Sequence, residues 1–245
     1  MSAHVLILAG TAEARTLVER LAVLPGLRVT ASLAGVTSNP APIAAETRTG
    51  GFGGPDGLAA WLGAHRVAAL IDATHPFAAR MAANAATACA ATGTPRLKLL
   101  RPVWQPVGDW HSFPEPAVAA AALPPGARPL ITTGRKEVAP FAARPDLACL
   151  LRVIEPVADL PEHITQIVAR PPFTLETELA LMRAHAITHL LAKNAGGSGR
   201  ARLDAAARLG LPILMVERPA PPPGPRAAGV ADAVAWLLET VAIRP

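Results

Sequence analysis

The chain of 245 residues has no tyrosine, and aromatic residues make up only 4% of it. Without tyrosine it cannot supply the Tyr-x-x-x-Lys acid–base pair that short-chain dehydrogenases use. Its two cysteines, Cys89 and Cys149, are too few for a disulfide framework and read as reduced, buried thiols. No apolar run reaches the ~18 residues of a membrane span. The N-terminal MSAHVLILAGTAEAR has no basic region before its apolar stretch, so no signal peptide is expected. Lysine is scarce: Lys98, Lys136 and Lys193 stand against twenty arginines. The formal net charge of +5 is spread rather than clustered. Residues 1–122 carry 9 basic and 7 acidic side chains and residues 123–245 carry 14 and 11, an excess of +2 and +3. A nucleic-acid interface would need a basic stripe with interleaved aromatics. A dispersed positive balance suits a small polyanionic ligand. These absences describe a cytoplasmic enzyme with neither nucleic acid nor membrane as partner.

What is present is an alternation. The apolar fraction is 51%, much of it alanine, enough for a sizeable core. Short β-rich runs at 4–10, 27–33, 66–73 and 95–100 alternate with Ala-rich stretches of helical spacing at 11–24 and 76–93. Pro55 and Asp56 open a further short helix. Seven prolines between 102 and 129 interrupt the rhythm. It then restarts, with strands expected at 127–133, 147–154, 164–170, 188–194 and 211–219. Helices are expected at 135–144, 173–186, 199–210 and 230–241. The residues 219–225, PAPPPGP, read as a loop. The fold class is α/β, with a parallel sheet in each of two domains, 1–118 and 119–245, and an interdomain cleft.

Ligands of open parallel sheets bind beyond the carboxyl ends of the strands, so the strand-to-helix turns carry the functional content. The first, AGTAEAR (9–15), offers Gly10, Thr11 and the free amides of Ala12 and Glu13. It lacks G-x-G-x-x-G, and Thr11 as a helix cap with Glu13 in the first turn is the plain alternative. The next strand ends at SLAG (32–35) without the acid that a NAD-binding sheet places there, which leans toward NADPH if a dinucleotide binds. The TGGFGG segment (49–54) brings Gly50, Gly51, Phe52 and Gly53 beside Arg48, as a close backbone approach to a ligand or simply an irregular turn. DATHPFAAR (72–80) presents Thr74, His75, Pro76 and Phe77, with Pro76 suited to the first helical position. A lone histidine without a second ligand is a poor metal site, and no metal is expected.

The segment LITTGRKEVAPF (130–141) joins Thr132, Thr133 and Gly134 to adjacent cations, Arg135 and Lys136. Neighbouring cations oppose the dipole on a first helical turn, and either an anionic ligand or Glu137 could offset them. LAKNAGGSGR (191–200) repeats the theme with Lys193, Asn194, Gly196, Gly197 and Ser198. Glu176 and Glu178, two apart at the head of a helix, do not share a face and read as first-turn acids.

Taken together, ILAGTAEAR (7–15), GGFGG (50–54), DATHPFAARMAANA (72–85), TTGRKEVAPF (132–141), PPFTLETELALM (171–182) and KNAGGSGRARLDAAARLGLPILMVERP (193–219) resemble the motif series of the precorrin-6A reductase family of cobalamin biosynthesis. They occur in the family's order and cover most of the chain. Two positions depart from the pattern: Pro171 replaces a glycine before Pro172-Phe173, and Val36 stands where arginine is frequent, which weakens a 2′-phosphate assignment to that turn. The resemblance implies NADPH-dependent reduction of one double bond of precorrin-6A, giving precorrin-6B. It also implies two Rossmann-like domains with the site between them. A tetrapyrrole substrate with many carboxylates would account for several cationic and hydroxyl-bearing turns. On this reading Gly10, Thr11, Ala12, Glu13, Arg48 and the Gly50–Gly53 loop form the cofactor surface. Thr74–Phe77, Thr132–Lys136 and Lys193–Ser198 line the shared cleft, undivided between cofactor phosphate and substrate carboxylate. His75 is the named candidate for proton delivery, with solvent and the substrate's own nitrogens as alternatives.

Overall fold

The computed structural model describes residues 2–33 and 43–241. The chain divides into two compact units. One comprises Met1–Pro102 together with Pro219–Pro245; the other is Val103–Arg218.

The first unit is built on a six-stranded sheet, every pairing parallel. Its strands are β1 (Ala3–Leu8), β2 (Leu27–Leu33), β3 (Glu46–Thr49), β4 (Val67–Asp72), β5 (Arg96–Leu99) and, from the far end of the chain, β12 (Arg226–Ala227). They lie in the order β12-β5-β4-β1-β2-β3, the 3-2-1-4-5-6 arrangement of dinucleotide-binding sheets. The unbroken apolar run of β1 follows from burial on both faces. Val5 and Ile7 pack under α1 (Ala12–Ala22) and α8 (Val230–Thr240), through Leu17, Leu21 and Leu237. Leu6 and Leu8 pack under α2 (Pro55–Ala64) and α3 (Ala79–Thr92), through Leu58, Leu62 and Ala88.

The second unit repeats the plan. Its strands are β6 (Trp110–Phe113), β7 (Pro129–Ile131), β8 (Cys149–Val153), β9 (Ile164–Val168), β10 (His189–Lys193) and β11 (Ile213–Val216), in the order β6-β11-β10-β7-β8-β9 and all parallel. One face is covered by α6 (Leu175–Ala184) and α7 (Ala201–Arg208), whose Met182, Leu203 and Ala206 meet Leu130, Leu150, Leu190 and Met215. Two shorter helices, α4 (Pro116–Ala121) and α5 (Ala139–Ala142), complete it. The peptide between Pro171 and Pro172 is cis.

The expected α/β class and both parallel sheets are present. The expected division at 118/119 is not where the contacts divide. Trp104 is buried in the core of the second unit, and β6 joins that unit's sheet beside β11, although both precede residue 118. Conversely, β12 and α8 return to the first unit. The division falls at the first proline of the run, Pro102, rather than past its middle, because later ones serve inside elements of the second unit, as Pro116 does at the start of α4 and Pro129 at the start of β7.

Two expected helices also differ. The run 76–93 becomes helical only at Ala79. The Ala78 N–H donates to the His75 carbonyl at 2.8 Å, closing a turn over Pro76 and Phe77, and Ala78 has a non-helical ψ of 51°. The run 135–144 splits into a 3-10 turn, Arg135–Glu137, and the four-residue α5. Pro140 explains the split, since a proline ring collides with the carbonyl four residues earlier in a continuous α-helix.

Candidate active site

In the first unit the strand order reverses between β1 and β4, the place where open parallel sheets leave a crevice for a ligand. Gly10 leaves β1 with φ 143°, a conformation suited to glycine, and nothing lies within 4 Å of where a Cβ would stand. Thr11 caps α1: its Oγ1 accepts the Ala14 N–H at 3.1 Å and donates to the Ala73 carbonyl at 3.0 Å. The hydroxyl thereby ties the end of β1 to the end of β4. Ala12 and Glu13 are the first two residues of α1. The Glu13 carboxylate receives Arg101 Nη1 at 2.6 Å, both side chains partly exposed. Thr11, Glu13, Thr74 and Pro76 line one small recess, together with Leu99 and Arg101.

Beneath it lies a charge pair that the sequence reading passed over. Asp72 and Lys98 are buried, with Lys98 Nζ 3.0 Å from Asp72 Oδ1. That oxygen also accepts the Thr74 N–H at 3.0 Å and the Thr74 hydroxyl at 2.6 Å. Lys98 Nζ donates to Thr74 Oγ1 and to its carbonyl, at 3.1 and 3.2 Å. Thr74 is therefore fixed from below. His75 is exposed beyond it, its Nδ1 accepting the Phe77 N–H at 3.3 Å. Phe77 stands in tilted ring contact, with centroids 5.8 Å apart.

Arg48 and the glycine segment gather at the ends of β2 and β3, apart from that recess. Arg48 Nη1 donates to Ser32 Oγ and the Gly50 carbonyl, and Nη2 donates to the Gly51 carbonyl, at 2.9 to 3.0 Å. Its guanidinium also lies 3.8 Å from the centre of the Phe52 ring. Arg48 is thus the strut of the loop through which Gly53 passes at φ 79°, and burial holds its pKa below the usual guanidinium value. Gly57 sits where a Cβ would come 1.7 Å from the Phe52 carbonyl oxygen, so α2 closes directly onto the loop. Of the SLAG segment, Ser32 and Leu33 end β2; Ala34, Gly35 and Val36 lie outside the described residues.

The second unit has the corresponding reversal between β7 and β10, where both remaining cationic turns arise. Thr132 is committed to the sheet, its N–H and Oγ1 both donating to the Leu191 carbonyl. Thr133 is buried, and its Oγ1 has no hydrogen-bond partner among the described residues. Gly134 turns at φ 95°, and Arg135 and Lys136 are exposed on the 3-10 turn. Glu137 pairs with Lys193, Nζ to Oε1 2.8 Å, tying the two turns together.

Asn194 is tied into the fold by both ends of its amide. It is buried, its Oδ1 accepts the Trp104 N–H at 3.0 Å, and its Nδ2 donates to Glu217 Oε2 at 3.1 Å. The Gly197 carbonyl receives Trp104 Nε1 at 2.7 Å. Gly196 and Gly197 have φ of 68° and 82°, and Ser198 is exposed. Nearby, Glu178 is a buried anchor: Arg152 Nη1 donates to its Oε1 at 2.8 Å while stacking 4.1 Å from the Phe173 ring centre. Arg202 donates to the Gly199 carbonyl, and burial pushes its pKa down to about 10, with Arg152 repulsion adding to the shift. Among the described residues no group of three or more His, Cys, Asp or Glu side chains is placed to hold a metal. No helix there is long and apolar enough to cross a membrane.

A model of the family described as precorrin-6x reductase CbiJ/CobK matches residues 4–238. The chain belongs to this family. It is 46% identical over 240 residues to the precorrin-6A reductase of Rhodococcus erythropolis, covering 96% of this chain and 97% of that one. It is 41% identical over 243 residues to the precorrin-6A reductase of Rhodobacter capsulatus, covering 96% of each. A solved structure of CobK precorrin-6A reductase is 40% identical, covers 97% of each chain and matches the fold with a TM-score of 0.91. Membership makes the chain an oxidoreductase.

Proposed function

We propose that the protein reduces one double bond of precorrin-6A with NADPH, giving precorrin-6B. The carrying observation is the side-by-side exit of Gly10–Thr11 and Thr74–His75 from the sheet at its reversal, bound together by the Thr11-to-Ala73 hydrogen bond. The residues fit a nicotinamide dinucleotide. Gly10 leaves open the space a side chain would fill, and the amides opening α1 face a pyrophosphate as helix N-termini do. The described ends of β2 and β3 offer Ser32 and Arg48, without the carboxylate that selects the unphosphorylated ribose. This favours NADPH, with Arg48 near the 2′-phosphate. When bound, NADPH supplies the hydride.

The chain's own contribution is orientation and charge. Thr74, fixed by Asp72 and Lys98, and the Pro76–Phe77 turn bound the nicotinamide side of the crevice. Arg135, Lys136 and Lys193, with the amides of the Gly196–Ser198 segment, receive substrate acetate and propionate groups. His75 accepts at Nδ1, so its neutral ring carries the proton on Nε2 and presents a donor toward a substrate carboxylate or ring nitrogen. Reduction adds one hydride and one proton; solvent reaches exposed His75 and can replace the latter.

The test is turnover of precorrin-6A by the purified chain, followed by loss of reduced nicotinamide absorbance and a product mass increased by two hydrogens. Turnover with NADPH well above that with NADH supports the reading. Binding of both molecules without turnover would reduce the protein to a tetrapyrrole-binding module. Turnover of a different conjugated acid but not precorrin-6A would reassign the substrate. Arg135→Ala combined with Lys136→Ala should raise KM for the macrocycle and leave that for NADPH unchanged.

A further inference from the structure

Glu13 stands second in α1, where the proposed site receives a pyrophosphate, and it brings a negative charge to that position. An acid in a first turn suits the helix dipole but repels a bound phosphate. Its partner comes from the end of another strand, 88 residues along the chain: Arg101, two residues past β5, reaches across the recess to Glu13 Oε2 at 2.6 Å. The pair lies over the same lining residues, Thr11, Thr74, Pro76 and Leu99, that mark the sheet reversal. Neither side chain is enclosed, with 17% of Arg101 and 28% of Glu13 exposed, so the ion pair can exchange without unpacking the core. A guanidinium offers five N–H donors in a planar fork and binds phosphate in the same bidentate way as carboxylate.

We infer that Arg101 is a cofactor-binding residue held in reserve by Glu13: the guanidinium turns from the Glu13 carboxylate to the pyrophosphate of NADPH as the cofactor enters. This deepens the proposed function and rests on its assignment of the dinucleotide to the first unit. Glu13 then has two effects. It orients Arg101 before binding, and it competes with the phosphates for the same donors afterwards. The two residues consequently act in opposite directions on affinity, an outcome that simple bracing of the helix would not give.

The experiment measures NADPH dissociation constants for the full chain by titration, with inorganic pyrophosphate as a competitor, and unfolding midpoints as a control on folding. Arg101→Met is expected to weaken NADPH about tenfold, the scale of one charge-assisted hydrogen bond, and to weaken pyrophosphate competition in parallel. Glu13→Gln is expected to bind NADPH at least as tightly as the wild type. The double variant should recover part of the Arg101→Met loss, because the unpaired carboxylate beside the phosphates is gone. Unchanged NADPH affinity in Arg101→Met, or weakened affinity in Glu13→Gln at an unaltered unfolding midpoint, overturns the exchange. If Arg101→Met alters only KM for precorrin-6A, the residue serves the substrate and the inference fails while the proposed function stands. A wild-type chain that binds no NADPH would instead remove the proposed function itself.

Discussion

Asp72 and Lys98 are register partners on the adjacent parallel strands β4 and β5, and they meet as a buried ion pair with 3.0 Å between Oδ1 and Nζ. The pair sits under the turn that carries Thr74 and His75, and the same Asp72 oxygen holds both the amide and the hydroxyl of Thr74. Removing one partner of a buried pair leaves an uncompensated charge, at a cost of about 3–5 kcal/mol. Lys98→Met should therefore lower the urea midpoint sharply. Combining it with Asp72→Asn should restore much of the loss, since no net charge remains enclosed. A double variant as unstable as Lys98→Met alone would show that the charge is not the cause.

Two glycines of α2 should respond in opposite ways to the same substitution. Gly57→Ala drives a Cβ to within 1.7 Å of the Phe52 carbonyl oxygen. Either α2 or the glycine loop must move, which costs about 1–3 kcal/mol or more. Gly63→Ala meets nothing within 4 Å inside the same helix and should gain about 0.5–1 kcal/mol. Thermal unfolding of the two variants checks both signs. Because Arg48 braces the displaced loop, Gly57→Ala should also weaken NADPH binding, read by titration below the unfolding temperature.

Both thiols are buried, and burial raises each from the ordinary 9.0 to about 11. In the folded protein they stay protonated where an unfolded chain has begun to ionise. Between pH 9 and 11 the folded state therefore holds more protons, and these two groups make stability fall as pH rises through that window. Replacing both by alanine or serine should flatten this part of the stability–pH curve. The native protein should resist thiol-reactive reagents at neutral pH and react only as it unfolds, which a disulfide-exchange dye measures directly.

Asn194 and Ser198 belong to the same glycine-rich turn but should separate in a stability assay. Asn194→Ala strands the buried Trp104 N–H and loosens Glu217, at a cost of about 1–3 kcal/mol. Ser198 is exposed, and Ser198→Ala should leave the unfolding midpoint within error while raising KM for the macrocycle. Loss of stability in Ser198→Ala would place it with Asn194 as a structural residue.

The sequence makes visible whatever is repeated locally. The apolar run of β1, the cap at Thr11 and the glycines after β1, β3, β7 and β10 announce a parallel α/β sheet and its carboxyl-end turns, because period and turn chemistry are short-range properties. The recess at the first sheet reversal contains four expected residues, Thr11, Glu13, Thr74 and Pro76. Its other charged wall, Arg101, and the pair beneath it were invisible, because Lys98 and Asp72 become neighbours only when β5 joins β4. The burial of Asn194 and its bonds to Trp104 and Glu217 were equally invisible, because a buried amide and an exposed one are spelled alike. The two-residue β12 is too short for any alternation to register, and its return to the first sheet adds a second crossing between the units, at Arg218/Pro219. Pro140 did contain the reason why 135–144 could not be one helix.

The return of β12 and α8 gives synthesis an order. Val103–Arg218 is one uninterrupted stretch, so the ribosome delivers everything that unit needs before the chain ends. The first unit begins earlier yet finishes later, because Val5, Ile7 and Leu17 wait for Ala233 and Leu237 to close their core. A polypeptide cut short between Arg218 and α8 leaves the first unit's sheet with an uncovered face. If the cofactor binds this unit as proposed, its uptake waits for α8, and a copy lacking that helix exposes the apolar surface that quality control reads.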